Sequence, residues 1–221
     1  MTDQITPSQF HESDGVEDWR VLGDGACTYF HTGSFAAGAR LVQAIGELPG
    51  LDEHHPDVDL RHDGVTVRLV TATDEYMGMT QRDVELARKI SEIARDQKLQ
   101  GDPSAVQSVL VIPGAPDTAK VMPFWRAVLG YVPRADSPDD DLVDPHDRGP
   151  AFWFEPMREP RQGGGAIHVA VWVPYEQAEA RVAAALAAGG HLVRDEFAPS
   201  WWTLADAAGN EADVATTRGR D

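Results

Sequence analysis

Two stretches of this chain repeat one pattern. "VQSVLVIP" (106–113) and "IHVAVWVP" (167–174) are apolar runs of strand length that end in proline. Runs of that kind, bounded by a turn residue, read as buried strands. Each leads into a helical stretch, "DTAKVMPFWRAVLG" in one case and "YEQAEARVAAALAAGG" in the other, the second with an alanine-rich face and a Gly-Gly stop. Each half closes on a strand-like segment, "AFWFEP" and "EADVAT". Gln107 and His168 are 61 positions apart, and Glu155 and Asp213 are 58 apart. Two copies of one β-α-β-β-β unit account for that near-constant offset. "RADSPDDDLVDPHDRG" (134–149) interrupts the first copy and reads as an acidic loop.

The residues before the repeat are patterned differently. "DWRVLGDGACTYFHTG" reads as two short strands around Gly23-Asp24-Gly25, a hairpin turn signal. Ser34 then precedes a run in which Gly38, Leu41, Val42, Ile45 and Leu48 fall at helical spacing, and Pro49-Gly50 stops it. "GVTVRLVT" sets Val65, Val67 and Leu69 against Thr66 and Arg68, the alternation of a half-buried strand. Thr80 and Asp83 form a capping-box-like start for a second helix, whose face carries Val84, Ala87, Ile90 and Ala94. The expected fold class is therefore α+β. A β-β-α-β-α domain spans residues 1–99, "QGDPS" (100–104) reads as a linker, and the doubled unit fills 105–221.

Composition narrows the function classes. A net charge of −17 over 221 residues repels phosphate backbones and anionic lipid, so no nucleic-acid or membrane partner is expected. No run of eighteen apolar residues and no secretory signal stand in the sequence, which makes a cytoplasmic location the simplest expectation. Cys27 is the single cysteine, which leaves neither an internal disulfide nor a thiolate zinc site.

Between the first helix and the alternating strand lies "LDEHHPDVDLRHDG" (51–64), with three histidines and five acidic side chains. Adjacent side chains on an extended segment point apart, so a metal cage from Asp52, Glu53, His54 and His55 is disfavoured. The double histidine followed by proline, ahead of the strand and of "GMTQRDVELARKI", resembles the pterin-4a-carbinolamine dehydratases over roughly residues 4–98. The resemblance implies that His54 and His55 bind the pterin and transfer protons, and that the reaction needs no cofactor. It implies also that Pro56 fixes the backbone beside them and that Asp83 and Thr71 line the pterin pocket. Imidazole suits both proton donation to the leaving hydroxyl and acceptance from N5, because it titrates near neutrality. Two departures stand out. Where the family usually has threonine–histidine after the strand, this chain has Thr71-Ala72 and then the longer "TDEYMG". His62 occupies a place where an aromatic residue is usual, and is the candidate to replace the lost base.

The doubled unit, with "FWRAVLGY" in its first helix and "WWTLADAAGNEADV" at its close, resembles the glyoxalase/bleomycin-resistance superfamily, the vicinal oxygen chelate fold, over 105–217. In that family, strands one and four of each copy bring one ligand apiece to a divalent metal. Carried over by position, these are Gln107, Glu155, His168 and Asp213, the last three residues after Asn210. One imidazole, two carboxylates and one amide oxygen suit Zn²⁺, Fe²⁺, Mn²⁺ or Ni²⁺ with positions open to substrate oxygens.

The leading expectation is thus a lyase that dehydrates a pterin-like small molecule, weakened by Ala72 and fused to a glyoxalase-like domain. The alternatives are a metal-dependent glyoxalase- or dioxygenase-type enzyme, or a small-molecule-binding protein, acting through the C-terminal cup beside a non-catalytic N-terminal domain. A homo-oligomer is expected because both resembled families assemble through sheets.

Overall fold

The computed structural model describes residues 4–147, 149–157, 167–205 and 211–220. Two compact units divide the chain: Met1–Ala72, Tyr76–Val106 and Thr217–Asp221 form the first, and Thr73–Glu75 with Gln107–Thr216 the second.

In the first unit, α1 (Pro7–His11) starts on a capping box between Thr6 and Gln9. Strands β1 (Arg20–Leu22) and β2 (Gly25–His31) form the expected hairpin, with Gly23 at φ +61° in the turn, a value glycine adopts without strain. The Ser34 hydroxyl accepts the Ala37 N–H and starts α2 (Phe35–Gly46). Strands β3 (Asp57–Leu60) and β4 (Gly64–Leu69) follow, then the short pair β5 (Thr71–Ala72) and β6 (Met77–Gly78). Helix α3 (Gln81–Asp96) and β7 (Gln100–Gly101) complete the unit. The sheet order is β1-β2-β4-β3, with β7 paired to β2. Val65, Val67 and Leu69 of β4 are fully buried in one core with Leu41 and Ile45 of α2 and Val84, Ala87, Ile90 and Ala94 of α3. The helical and strand periodicities read from the sequence are those of this core.

Five elements escaped the sequence pattern. Besides α1 and the β5–β6 pair, the histidine stretch itself contains β3, and the supposed linker begins with β7, whose Gln100 and Gly101 pair with His31 and Phe30. β3 lies at the sheet edge, where Asp57 and Asp59 alternate with Val58 and Leu60 and mask the apolar face.

The second unit is the doubled one. Its first copy is β8 (Ser108–Ala115), α4 (Thr118–Leu129), β9 (Val132–Arg134), β10 (Ser137–Val143) and a fourth strand broken into β11 (Ala151–Trp153) and β12 (Glu155–Pro156). Its second copy is β13 (Ile167–Trp172), α5 (Tyr175–Ala187), β14 (His191–Arg194), β15 (Trp201–Ala205) and β16 (Glu211–Ala215). The strands form one sheet, β14-β15-β16-β13-β8-β11-β10-β9, with β12 paired to β8. The copies meet edge to edge through antiparallel β8 and β13, and each fourth strand runs parallel to its first. Within the acidic stretch expected as a loop lies strand β10: Ser137–Asp140 are mostly exposed, while Asp141 and Leu142 are buried. Its exposed and buried positions do not alternate, so it carries no strand period. Each copy buries its own helix: Val171, Val173, Leu204 and Val214 lie in the core that includes Ala178 of α5, and Leu142, Phe152 and Phe154 pack with Val121 and Trp125 of α4.

Candidate functional site

One end of the first sheet gathers the chemistry. β3 begins and β4 ends there, since Asp57 pairs with Arg68, and the β1–β2 turn lies at the same end through the Ala26–Leu69 pair. Beyond α2, Gly50 at φ +88° turns the chain, and its carbonyl accepts the N–H of both Glu53 and His54. That turn carries His54 back over the start of α3. There Asp83 stands in the first helical turn, fully buried.

Asp83 divides its two oxygens. Oδ2 accepts the Thr80 N–H at 2.7 Å, the Thr71 hydroxyl at 2.8 Å and the Thr80 hydroxyl at 2.9 Å. Oδ1 faces His54 Nε2 at 3.0 Å, with side-chain exposures of 0% for Asp83 and 10% for His54. The contact is off the line of a well-aligned hydrogen bond, and among the described residues neither of these buried atoms has another hydrogen-bond partner. Burial pushes the Asp83 carboxyl upward, but His54, Thr71 and Thr80 together outweigh it and hold the group below the ordinary aspartate value. An ionised Asp83 favours the tautomer of His54 with its proton on Nε2, and in that tautomer Nδ1 is the acceptor.

His54, Asp83 and Thr71 are therefore brought together. Pro56 leads directly into β3, and His55 beside it is exposed. Thr71 is buried and Ala72 exposed. His62 is not brought to this site. It lies in the β3–β4 turn, at the opposite end of the hairpin from His55. Seven residues of extended chain separate the two, about 20 Å at 3.3 Å per residue. As a substitute for the lost base, His62 is thus misplaced by the hairpin that the sequence reading lacked.

In the second unit, His168 and Asp213 meet: Nε2 and Oδ2 are 3.2 Å apart, and Asp213 Oδ1 accepts the buried Thr203 hydroxyl at 2.7 Å. Burial raises the Asp213 carboxyl, but His168 and Thr203 prevail and hold it low. Asp213 pairs with Thr203 and Ala170, and His168 lies two residues from Ala170, so all four share the sheet face opposite Val171, Leu204 and Val214 and hence opposite α5.

The other two positions of the quartet do not join them. Glu155 pairs with Gly114 as Asp213 pairs with Ala170. His168 is two residues before Ala170; two before Gly114 stands Ile112, which is also the direct antiparallel neighbour of His168. Register thus assigns Ile112, a buried apolar residue, to the place the resemblance gave Gln107. Gln107 is exposed ahead of β8, and its side-chain oxygen accepts from Arg181 of α5 at 3.3 Å. Among the described residues no three histidine, cysteine, aspartate or glutamate side chains form a group able to hold a metal ion. The expected ligand set therefore does not fit a divalent metal. Asn210, which anchored the choice of Asp213, lies outside the described residues. Among the described residues no helix is long and apolar enough to cross a membrane.

Comparison with known proteins follows the same division. The family described as "Pterin 4 alpha carbinolamine dehydratase" matches residues 3–93, and the "Glyoxalase-like domain" family matches residues 109–215. A "Putative pterin-4-alpha-carbinolamine dehydratase" from Nocardia farcinica (strain IFM 10152) is 40% identical over 80 residues, 36% of this chain and 82% of that protein. A protein of the same name from Thermomicrobium roseum is 33% identical over 79 residues, covering 36% and 83%. A solved glyoxalase/bleomycin resistance protein/dioxygenase superfamily member from Vibrio splendidus 12B01 is similar over 50% of this chain and 99% of its own, at 17% identity and a TM-score of 0.32, too low to carry an argument. Through its N-terminal unit the chain belongs to the pterin-4-alpha-carbinolamine dehydratase family, and a glyoxalase-like domain follows that unit.

Proposed function

We propose that the N-terminal unit removes water from a pterin 4a-carbinolamine. The C4a–O bond breaks, oxygen leaves as water, the N5 proton is lost, and a C4a=N5 double bond remains. The observation that carries this reading is the buried His54–Asp83 pair, 3.0 Å apart, with the carboxylate locked by Thr71 and Thr80. An anchored, ionised Asp83 fixes the His54 ring and its tautomer, so that Nδ1 is the atom that takes the N5 proton. His55, exposed beside it, provides a second imidazole at the mouth of the same site. The test follows the absorbance decay of a freshly generated carbinolamine. Wild-type protein accelerates the decay over buffer, and His54→Ala removes about 10²-fold or more of that acceleration. Decay at the buffer rate, at high protein concentration, defeats the proposal.

A second reading concerns the C-terminal unit and draws support from the buried His168–Asp213–Thr203 chain on the sheet face away from α5. On this reading that face holds a small polar molecule against the imidazole. A compound that shifts the His168 ring resonances and loses affinity in His168→Ala supports it, and equal binding by both proteins removes it.

A further inference from the structure

Ala72 stands exposed where the family resemblance calls for an imidazole, and the chain beyond it folds into the β5–β6 pair. In that pair Thr71 is opposite Gly78, and Ala72 is opposite Met77. Alternation puts Tyr76 and Gly78 on one side of the strand. The phenol closes over Gly78 so tightly that a Cβ there would come 2.5 Å from its hydroxyl oxygen. That hydroxyl donates to the Met79 carbonyl at 2.8 Å. Met79 directly precedes Thr80, whose N–H and hydroxyl hold Asp83. The longer segment after the strand therefore does more than lose a histidine. It delivers a half-buried phenol to the edge of the acid–base cluster.

We propose that Tyr76 is a catalytic residue of the dehydration, giving the proton to the oxygen that leaves C4a. This rests on the dehydratase reading above. The substrate hydroxyl replaces the Met79 carbonyl as partner of the phenol. The C4a–O electron pair goes to oxygen, the phenolic proton joins it, and water departs. The N5–H electron pair forms the C4a=N5 bond, and its proton goes to Nδ1 of His54. The site is left with a phenolate and an imidazolium, and proton exchange through water resets both.

The surroundings suit a donor. Burial first, then the charges of Asp83 on α3 and Asp24 in the β1–β2 turn, push the phenol above its ordinary value, against a smaller lowering by the Met79 backbone contact. His54, His55 and the Asp57–Arg68 pair stand at the same end of the sheet. Tyr76 consequently stays protonated throughout the neutral range.

The test uses the full chain in four forms: wild type, Tyr76→Phe, Ala72→His, and the double variant, in the carbinolamine assay. Tyr76→Phe is expected to lower kcat about 10²-fold with KM little changed. Adding Ala72→His to Tyr76→Phe puts an imidazole on the other face of the β5–β6 pair and is expected to recover less than about tenfold of that loss. The wild-type rate falls at alkaline pH, above the ordinary tyrosine range, and Tyr76→Phe lacks that limb. A wild type that is active and matched by Tyr76→Phe overturns this inference alone. So does a defect confined to KM and thermal stability with the pH profile unchanged, which marks a structural hydroxyl. A wild type without activity overturns the parent reading, and this one with it.

Discussion

A carboxylate with no exposure to water is costly unless every lone pair is answered. Asp83 answers three demands on Oδ2 through Thr71 and Thr80, and leaves Oδ1 to His54 alone. That asymmetry separates the structural half of the group from its chemical half. Asp83→Asn is expected to cost about 1–3 kcal/mol at pH 7, because the amide nitrogen must face either a hydroxyl cluster or Nε2–H. The pH dependence has a definite sign. The folded-state value of Asp83 is depressed, so its stabilisation is present above the unfolded value of about 3.9 and is lost as pH falls through the lower folded value. Denaturant unfolding should find the gap between Asp83→Asn and wild type shrinking as pH drops below about 4; a gap constant to pH 2 would mean that the charge contributes nothing. His62→Ala belongs to the same scale. Its place in the far turn predicts a carbinolamine rate equal to wild type, and a loss of about tenfold or more would require the turn to reach the site.

At the scale of elements, the sequence carried whatever a single strand or helix could decide by its own period. The α3 stripe and the β4 alternation were legible because they repeat at 3.6 and 2 residues against solvent, the Ser34 and Thr80 starts because capping is a local pattern, and the doubling of the second half because its parts recur at a near-constant offset. Relations between elements were not legible. β3 is an edge strand whose aspartates read as loop, and without it His62 seemed close to His54. The fourth strand of the first copy keeps its register against β8 across Phe154, so Glu155 stands where Asp213 does in the second copy, and the displaced position is on the first strand. Gln107 was five residues from the place it was meant to fill, which belongs to Ile112. The consequence is measurable. Equilibrium dialysis against Zn²⁺ and Mn²⁺ should give the same uptake for wild type and Gln107→Ala, since that amide is occupied by Arg181 at the surface. A tenfold weaker affinity in Gln107→Ala would restore Gln107 as a ligand. Tyr76 lies within "TDEYMG". A single tyrosine in a polar stretch has no period, and only the pairing of β5 with β6 directs it.

At the scale of the whole molecule, the two units differ in how they are held together. The first has one continuous core in which Phe10, Trp19, Phe30 and the β4 face are completely buried, and the Trp19 indole donates to Ser91 of α3 within it. In the second, the described residues include a core beneath α5 and another beneath α4. Each of these described cores lies within one unit. Leu204→Ala tests the point. Leu204 sits in the α5 core at 5% exposure, and its truncation leaves a cavity expected to cost about 2–4 kcal/mol. Hydrogen exchange should then show protection falling in β13, β15 and β16, while the amides of β2, β4 and α3 exchange as in wild type. The carbinolamine rate at 25 °C should be unchanged, because every group assigned to it lies in the first core or at the end of its sheet. Equal loss of protection in both sets would mean that the two units unfold as one cooperative body.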